Sequence, residues 1–225
     1  MKNNKSAISL LLTILIISSL LASTLTVSSF IVRYLRITKS VELSEMAYYS
    51  AESALEKVAY KVFKDYCEIG AGGTCGISGN LSLGPYFEVK SEDITAYTVS
   101  SPWSISLDPG KSFNFGLDLN GANYPSSITI NRSGNQESEL IIIERLKTEK
   151  SWSELVFTSS FPFTLNISSN KYYRIRINNK GTGTETYTFS FSGNLPIGLK
   201  VNSSLGKYLG YQRKIEAIIP KYFTN

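Results

Sequence analysis

Residues 43–62 read LSEMAYYSAESALEKVAYKV, and the periodicity of this stretch decides the fold. At about 100° per residue, Leu43, Ala47, Tyr48, Ala51, Ala54, Leu55, Val58, Ala59 and Val62 fall within one arc of about 160°. Glu42, Glu45, Glu52 and Glu56 lie on the far side, with Lys57, Lys61 and Lys64 beside them. The pattern predicts an amphipathic helix with a single packing face. Its key positions are Ala47, Ala51, Ala54, Leu55, Val58 and Val62, and its alanines let a sheet approach closely.

Upstream the helix has no reason to begin late. Residues 6–32 carry no charge, and 27 residues at about 1.5 Å rise reach about 40 Å, more than a hydrocarbon core of about 30 Å. The first glycine is Gly70 and the first proline Pro85. One helix is therefore predicted from residue 6 to about 64, membrane-embedded over 7–32 and amphipathic over 33–66, and ended by Gly70, Gly72 and Gly73. Ten residues of 6–32 are Ser or Thr. The four-residue spacing of Ser19 and Ser23, and of Thr24 and Ser28, suits either close helix contact or hydroxyls bonded to their own helix.

The net charge of +5 is supplied entirely by Lys2, Lys5, Arg33, Arg36 and Lys39, which flank the apolar stretch as interface residues do. The chain from Ser40 onward is balanced, so no nucleic-acid partner is expected. The chain has no histidine, which removes the commonest general base and zinc ligand, and no enzyme activity, cofactor or metal is expected. Cys67 and Cys75 flank a flexible Gly-rich segment and read as a disulfide in an extracytoplasmic compartment. With basic residues heavier on the C-terminal flank, the positive-inside rule favours the reverse orientation, but the disulfide favours an external C-terminus.

After Gly79 the period changes to two, as in Phe113, Phe115, Leu117 and Leu119, or Tyr187, Phe189 and Phe191. Turn sequences Asp108-Pro109-Gly110, Asn120-Gly121, Asn179-Lys180-Gly181 and Ser192-Gly193-Asn194 separate the runs. Residues 67–100 and 194–225 are expected to form a small antiparallel sheet on the helix, and 101–193 an inserted β-sandwich. Gly110-Lys111-Ser112 lacks the earlier glycine of a phosphate loop, Ile105 standing there. Arg174 and Arg176 read as a solvated strand face, and Trp103 and Trp152 as packing residues.

The basic leader, the apolar helix and AYYSAESALEKV at 47–58 together resemble the N-terminus of type IV pilus minor pilins of the PilX-like kind, and of related type II secretion pseudopilins. Ala47, Tyr48, Ala51, Glu52, Ser53, Ala54, Leu55 and Glu56 occupy the family's aromatic and acidic segment. LGKYLGYQRKIEAIIP at 205–220 is similar to its closing strand pair. The resemblance implies an α+β, pilin-like fold, one long N-terminal α-helix packed on an antiparallel β-sheet, here with the β-sandwich inserted. It implies a leader of residues 1–6 cut between Ser6 and Ala7 by a prepilin peptidase, though the family usually has Gly before the cut. It implies residence in the cytoplasmic membrane with an extracytoplasmic domain, then assembly with other pilin subunits through the N-terminal helix into a cell-surface filament. Major pilins usually carry Glu at the fifth mature position, and Leu11 stands there. The expected role is thus a minor subunit that initiates assembly or sits at the tip. The alternatives are a tip adhesin whose sandwich binds a surface ligand, or an anchored surface protein that never assembles.

Overall fold

The computed structural model describes the backbone of residues 3–82 and 84–224, and side chains over 11–82 and 84–221. It opens with α1 (Asn3–Lys64), a helix of 62 residues without a glycine or proline. Two compact units divide the chain, Met1–Met46 and Ala47–Asn225.

In the first unit, residues 11–39 are exposed along the whole helix, including Leu11, Leu15, Leu25 and Phe30. The helix is long and apolar enough to cross a membrane. Ser18, Ser19, Ser23, Thr24 and Thr26 donate their hydroxyls to carbonyls three or four residues earlier. These polar groups are satisfied within one helix, the condition a hydrocarbon environment imposes.

The second unit contains the amphipathic part of α1 and all the strands. β1 (Ile77–Asn80), β2 (Tyr86–Val89) and β3 (Ile94–Ser100) precede the sandwich. Its own strands are β4 (Trp103–Leu107), β5 (Ser112–Leu117), β6 (Ser127–Arg132), β7 (Ser138–Leu146), β8 (Ser153–Thr158), β9 (Phe163–Asn166), β10 (Lys171–Asn179) and β11 (Glu185–Phe191). β12 (Asn194–Tyr208), β13 (Tyr211–Pro220) and β14 (Tyr222–Thr224) end the chain. β12 is central to the first sheet: β13 pairs along one side, while β3 and then β2 pair along the other, with β1 outside β2, all antiparallel. The sandwich stacks a sheet of order β14-β5-β10-β7-β8 on one of order β4-β11-β6-β9.

The two cores follow from alternation. In the sandwich, Phe113, Phe115, Leu140, Ile142, Ile175, Ile177, Tyr187 and Phe189 point inward from both sheets. Trp103 belongs to this core, packing against Phe113, Phe115 and Phe189. The second core places Ala54, Leu55, Val58 and Val62 of α1 on Phe87, Val89, Ile94, Leu199 and Val201. Leu195 and Ile197 of β12 enter the first core while Leu199 and Val201 enter the second, so one strand spans both. This is the α+β, pilin-like arrangement with an inserted sandwich.

The chain departs from the sequence reading in two places. The helix ends at Lys64, close to the expected residue, but it is Tyr66 in a left-handed conformation with φ of 53° that ends it, ahead of Gly70, Gly72 and Gly73. The amide of Cys67 then reaches back to the carbonyl of Lys61 at 3.5 Å, closing the helix end as a glycine would. Residues 222–224 do not belong to the first sheet: β14 crosses to pair with β5, with Tyr222 beside Phe115.

Candidate functional site

The helix face and its sheet are joined by small residues. Ala47, Ser50, Ala51 and Ala54 are fully buried. Opposite them, a Cβ added at Gly206 would collide with the carbonyl of Ala47 and lie 2.7 Å from the amide nitrogen of Ala51. Two hydroxyls bind across the contact: Ser50 Oγ donates to the Tyr86 carbonyl at 3.1 Å, and Ser204 Oγ donates to the Ala51 carbonyl at 2.6 Å. The wheel placed Tyr48 on this face, but its side chain is 45% exposed and Ser50 takes the buried place. Serine scores as polar in a periodicity count, and only its two acceptors make the burial favourable. Tyr48, Tyr49 and Tyr60 lie exposed with Glu52 and Glu56.

Beyond the helix, Cys67 and Cys75 form a disulfide with Cα atoms 5.2 Å apart. Lys61 ties this loop to the helix by donating to the carbonyls of Thr74 and Gly76. Ser6 and Ala7, the leader junction, lie outside the residues whose side chains are described.

A second constellation was not foreseen. Where α1 ends, Tyr66 stacks on Tyr172 with ring centroids 5.1 Å apart. The guanidinium carbon of Arg145 lies 4.3 Å from the Tyr66 ring centroid and 5.2 Å from that of Trp152. Arg174 lies over the same Trp152 at 4.2 Å. Lys221 lies 4.6 Å from the Phe63 ring and ion-pairs with the fully buried carboxylate of Asp118, which Arg174 Nε also faces at 3.9 Å. Burial pushes the Lys221 ammonium below its usual range, and the Asp118 charge opposes that shift. Arg145 is only 8% exposed, its buried Nε has no hydrogen-bond partner, and its side chain makes no ion pair among the described residues. The alternation of β7 and β10 places Arg145, Arg174 and Arg176 on one sheet face, but their convergence with Tyr66 and Lys221 needs the tertiary fold.

Elsewhere, Glu185 is a structural carboxylate. It is 1% exposed and accepts hydrogen bonds from the amides of Gly134, Gln136 and Thr186 and from Ser133 Oγ. Burial pulls its carboxyl up, but the four donors outweigh it and hold it below the ordinary range. Gly110-Lys111-Ser112 is a strand-entry turn leading into β5, with Gly110 at φ of 74°, and forms no phosphate cradle. No group of three or more His, Cys, Asp or Glu side chains able to hold a metal occurs among the described residues.

What this arrangement can do is mechanical before it is chemical: a continuous helix presents an apolar segment, and its other segment is locked to a sheet. No protein-family model, no curated protein and no solved structure matches the chain.

Proposed function

We propose that the chain is a minor structural subunit of a type IV pilus or a related secretion pseudopilus, initiating assembly or occupying the tip. The observation that carries this reading is α1 itself. It is 62 residues without a helix breaker, uncharged over 6–32, and fixed to an antiparallel sheet through Ala47, Ser50, Ala51 and Ala54. In this mechanism the apolar segment leaves lipid and enters a bundle of like segments from other pilin subunits. The head remains extracytoplasmic, in keeping with the Cys67–Cys75 disulfide. Close helix packing supplies the association energy, because lipid and a neighbouring helix are equally apolar.

Leu11 supports the minor role. A carboxylate at that position would pair with the free amine of a neighbouring subunit, and a leucine forms no such pair. A subunit of this kind suits a place where no neighbour must be matched on one side. Mass spectrometry of the chain from native membranes tests the reading. A mature N-terminus at Ala7 supports it, whereas an intact Met1 returns the chain to a plain membrane anchor. Finding it as the dominant protein along purified filaments would overturn the minor role.

A further inference from the structure

The outer face of the five-stranded sheet departs from the polar surface expected of a solvated strand face. Cross-strand register sets three rows upon it. Going from β5 through β10 to β7, Gly116 is followed by Arg174 and Ile143, Asn114 by Arg176 and Ile141, and Ser112 by Asn178 and Glu139. Phe157 and Leu155 of edge strand β8 continue the face and are 61% and 42% exposed. A groove of about 560 Å³ runs over it, lined chiefly by Ile141, Ile143, Arg174, Arg176 and Lys221.

Charge on this face is out of balance. Arg145, Arg174, Arg176, Lys180 and Lys221 share it with three carboxylates: Asp118, which is engaged by Lys221 and approached by Arg174; Glu139, which is paired with Lys180 and lies within the field of Arg176; and Glu154, which makes no ion pair among the described residues. Arg176 Nε donates to Asn178 Oδ1 at 2.8 Å, and Asn178 Nδ2 in turn donates to Glu139, so the carboxylate nearest Arg176 is already shared with Lys180. Arg145, buried beside Trp152, makes no ion pair among the described residues. A buried cation without a counter-charge is unfavourable by itself and is relieved by an anion brought close. Arginine forks recognise carboxylates in pairs of parallel hydrogen bonds.

The shape of the face narrows the anion. Arg174 and Arg176 stand two residues apart on one strand, about 6.6 Å by strand rise, with an aliphatic ridge of Ile141 and Ile143 alongside. A stiff polymer bearing one carboxylate per repeat meets such a row with little loss of conformational freedom, and its ring C–H faces cover the ridge. An acidic peptide would lose backbone entropy for each residue it orders. Single-stranded nucleic acid stacks on a succession of open aromatic faces. Here Phe157 is open on the edge strand, but Trp152 is covered by Arg174 and Arg145, and Tyr66 and Tyr172 cover one another.

We infer that the outer face of the sheet β14-β5-β10-β7-β8 binds a carboxylate-bearing polysaccharide of the polyuronate type along Arg174 and Arg176. This inference does not depend on filament assembly. It is tested on the full chain in neutral detergent micelles by calorimetric titration with oligogalacturonate. Neutral dextran, poly-glutamate and oligo-dT are titrated in parallel. The expected result is saturable binding of oligogalacturonate that weakens as salt is raised. Arg176→Gln should lower the affinity about tenfold or more with an unchanged melting temperature, Arg176→Lys should lose less, and Lys214→Gln on β13 should lose nothing. Oligogalacturonate binding no tighter than dextran, equal or tighter binding of poly-glutamate or oligo-dT, or an Arg176→Gln protein of wild-type affinity would each overturn it.

Discussion

Gly206→Ala offers the sharpest test of how the helix is held. The new methyl carbon would crowd Ser50 Oγ, and it would stand 2.7 Å from the Ala51 nitrogen and closer still to the Ala47 carbonyl, backbone atoms of a helix that cannot turn aside as a side chain does. Restoring ordinary contact with the Ala47 carbonyl requires the helix to retreat by about 1.5 Å. That movement stretches the Ser204–Ala51 and Ser50–Tyr86 hydrogen bonds, now 2.6 and 3.1 Å, at about 1 kcal/mol each. Overpacking adds about 1–3 kcal/mol. Replacing glycine in a strand returns about 0.5–1 kcal/mol. The net loss is about 2–4 kcal/mol, or roughly 4–16 °C in Tm for a domain of this size. Circular dichroism melts of the full chain in detergent measure it, with Ser204→Ala as the milder companion at about 1 kcal/mol. A Gly206→Ala protein melting at or above wild type would refute the close-contact account, since backbone entropy alone would then govern the site.

Three further perturbations address the rest of the head. Tyr66→Gly should relieve the left-handed backbone while losing the stack on Tyr172, whereas Tyr66→Ala loses the stack and keeps the strain; the alanine protein should be the less stable by about 1 kcal/mol in urea titration, and equal midpoints would contradict the helix-end geometry. Because the Glu185 carboxyl is held below its reference of 4.5, its contribution is fully present above that pH and is lost as pH falls through the lower folded value; the stability gap between wild type and Glu185→Gln should therefore narrow below about pH 4.5, and parallel curves would count against the four-donor site. Lys221→Met leaves Asp118 buried without its counter-charge and should cost about 3–5 kcal/mol, most of it recovered in Lys221→Met with Asp118→Asn; a single variant as stable as wild type would mean that the pair is solvated.

The elements that sequence makes legible are those whose signal is periodic. α1 was readable because nothing between Ser6 and Lys64 breaks a helix, and the sandwich strands because Phe113, Phe115 and Leu117 or Tyr173, Ile175 and Ile177 alternate cleanly. The stop near residue 64 was legible but its cause was not, because a tyrosine in the left-handed region is rare, and what makes Tyr66 tolerable there is a ring in β10 and a guanidinium in β7, more than 70 residues away in sequence. Ser50, Ser204 and Gly206 escaped notice for a related reason. None is apolar by composition, and each is suited to the interior only by a partner on another element. The pairing of β14 with β5 has no local mark either, because three residues carry too little alternation to show which sheet they join.

One rung of the first sheet bears on how the sandwich is held. Asn194 and Ser100, the residues on either side of the insert, are direct partners in the β3–β12 ladder. The chain thus leaves the first sheet and re-enters it through a single doorway. That doorway is not the only seam: Leu119 of the insert lies in the helix-and-sheet core, Tyr172 stacks on Tyr66 at the helix end, and the chain's end reaches back as β14 to pair with β5, so the insert is stitched to the head at several points and cannot swing as a pendant on one hinge.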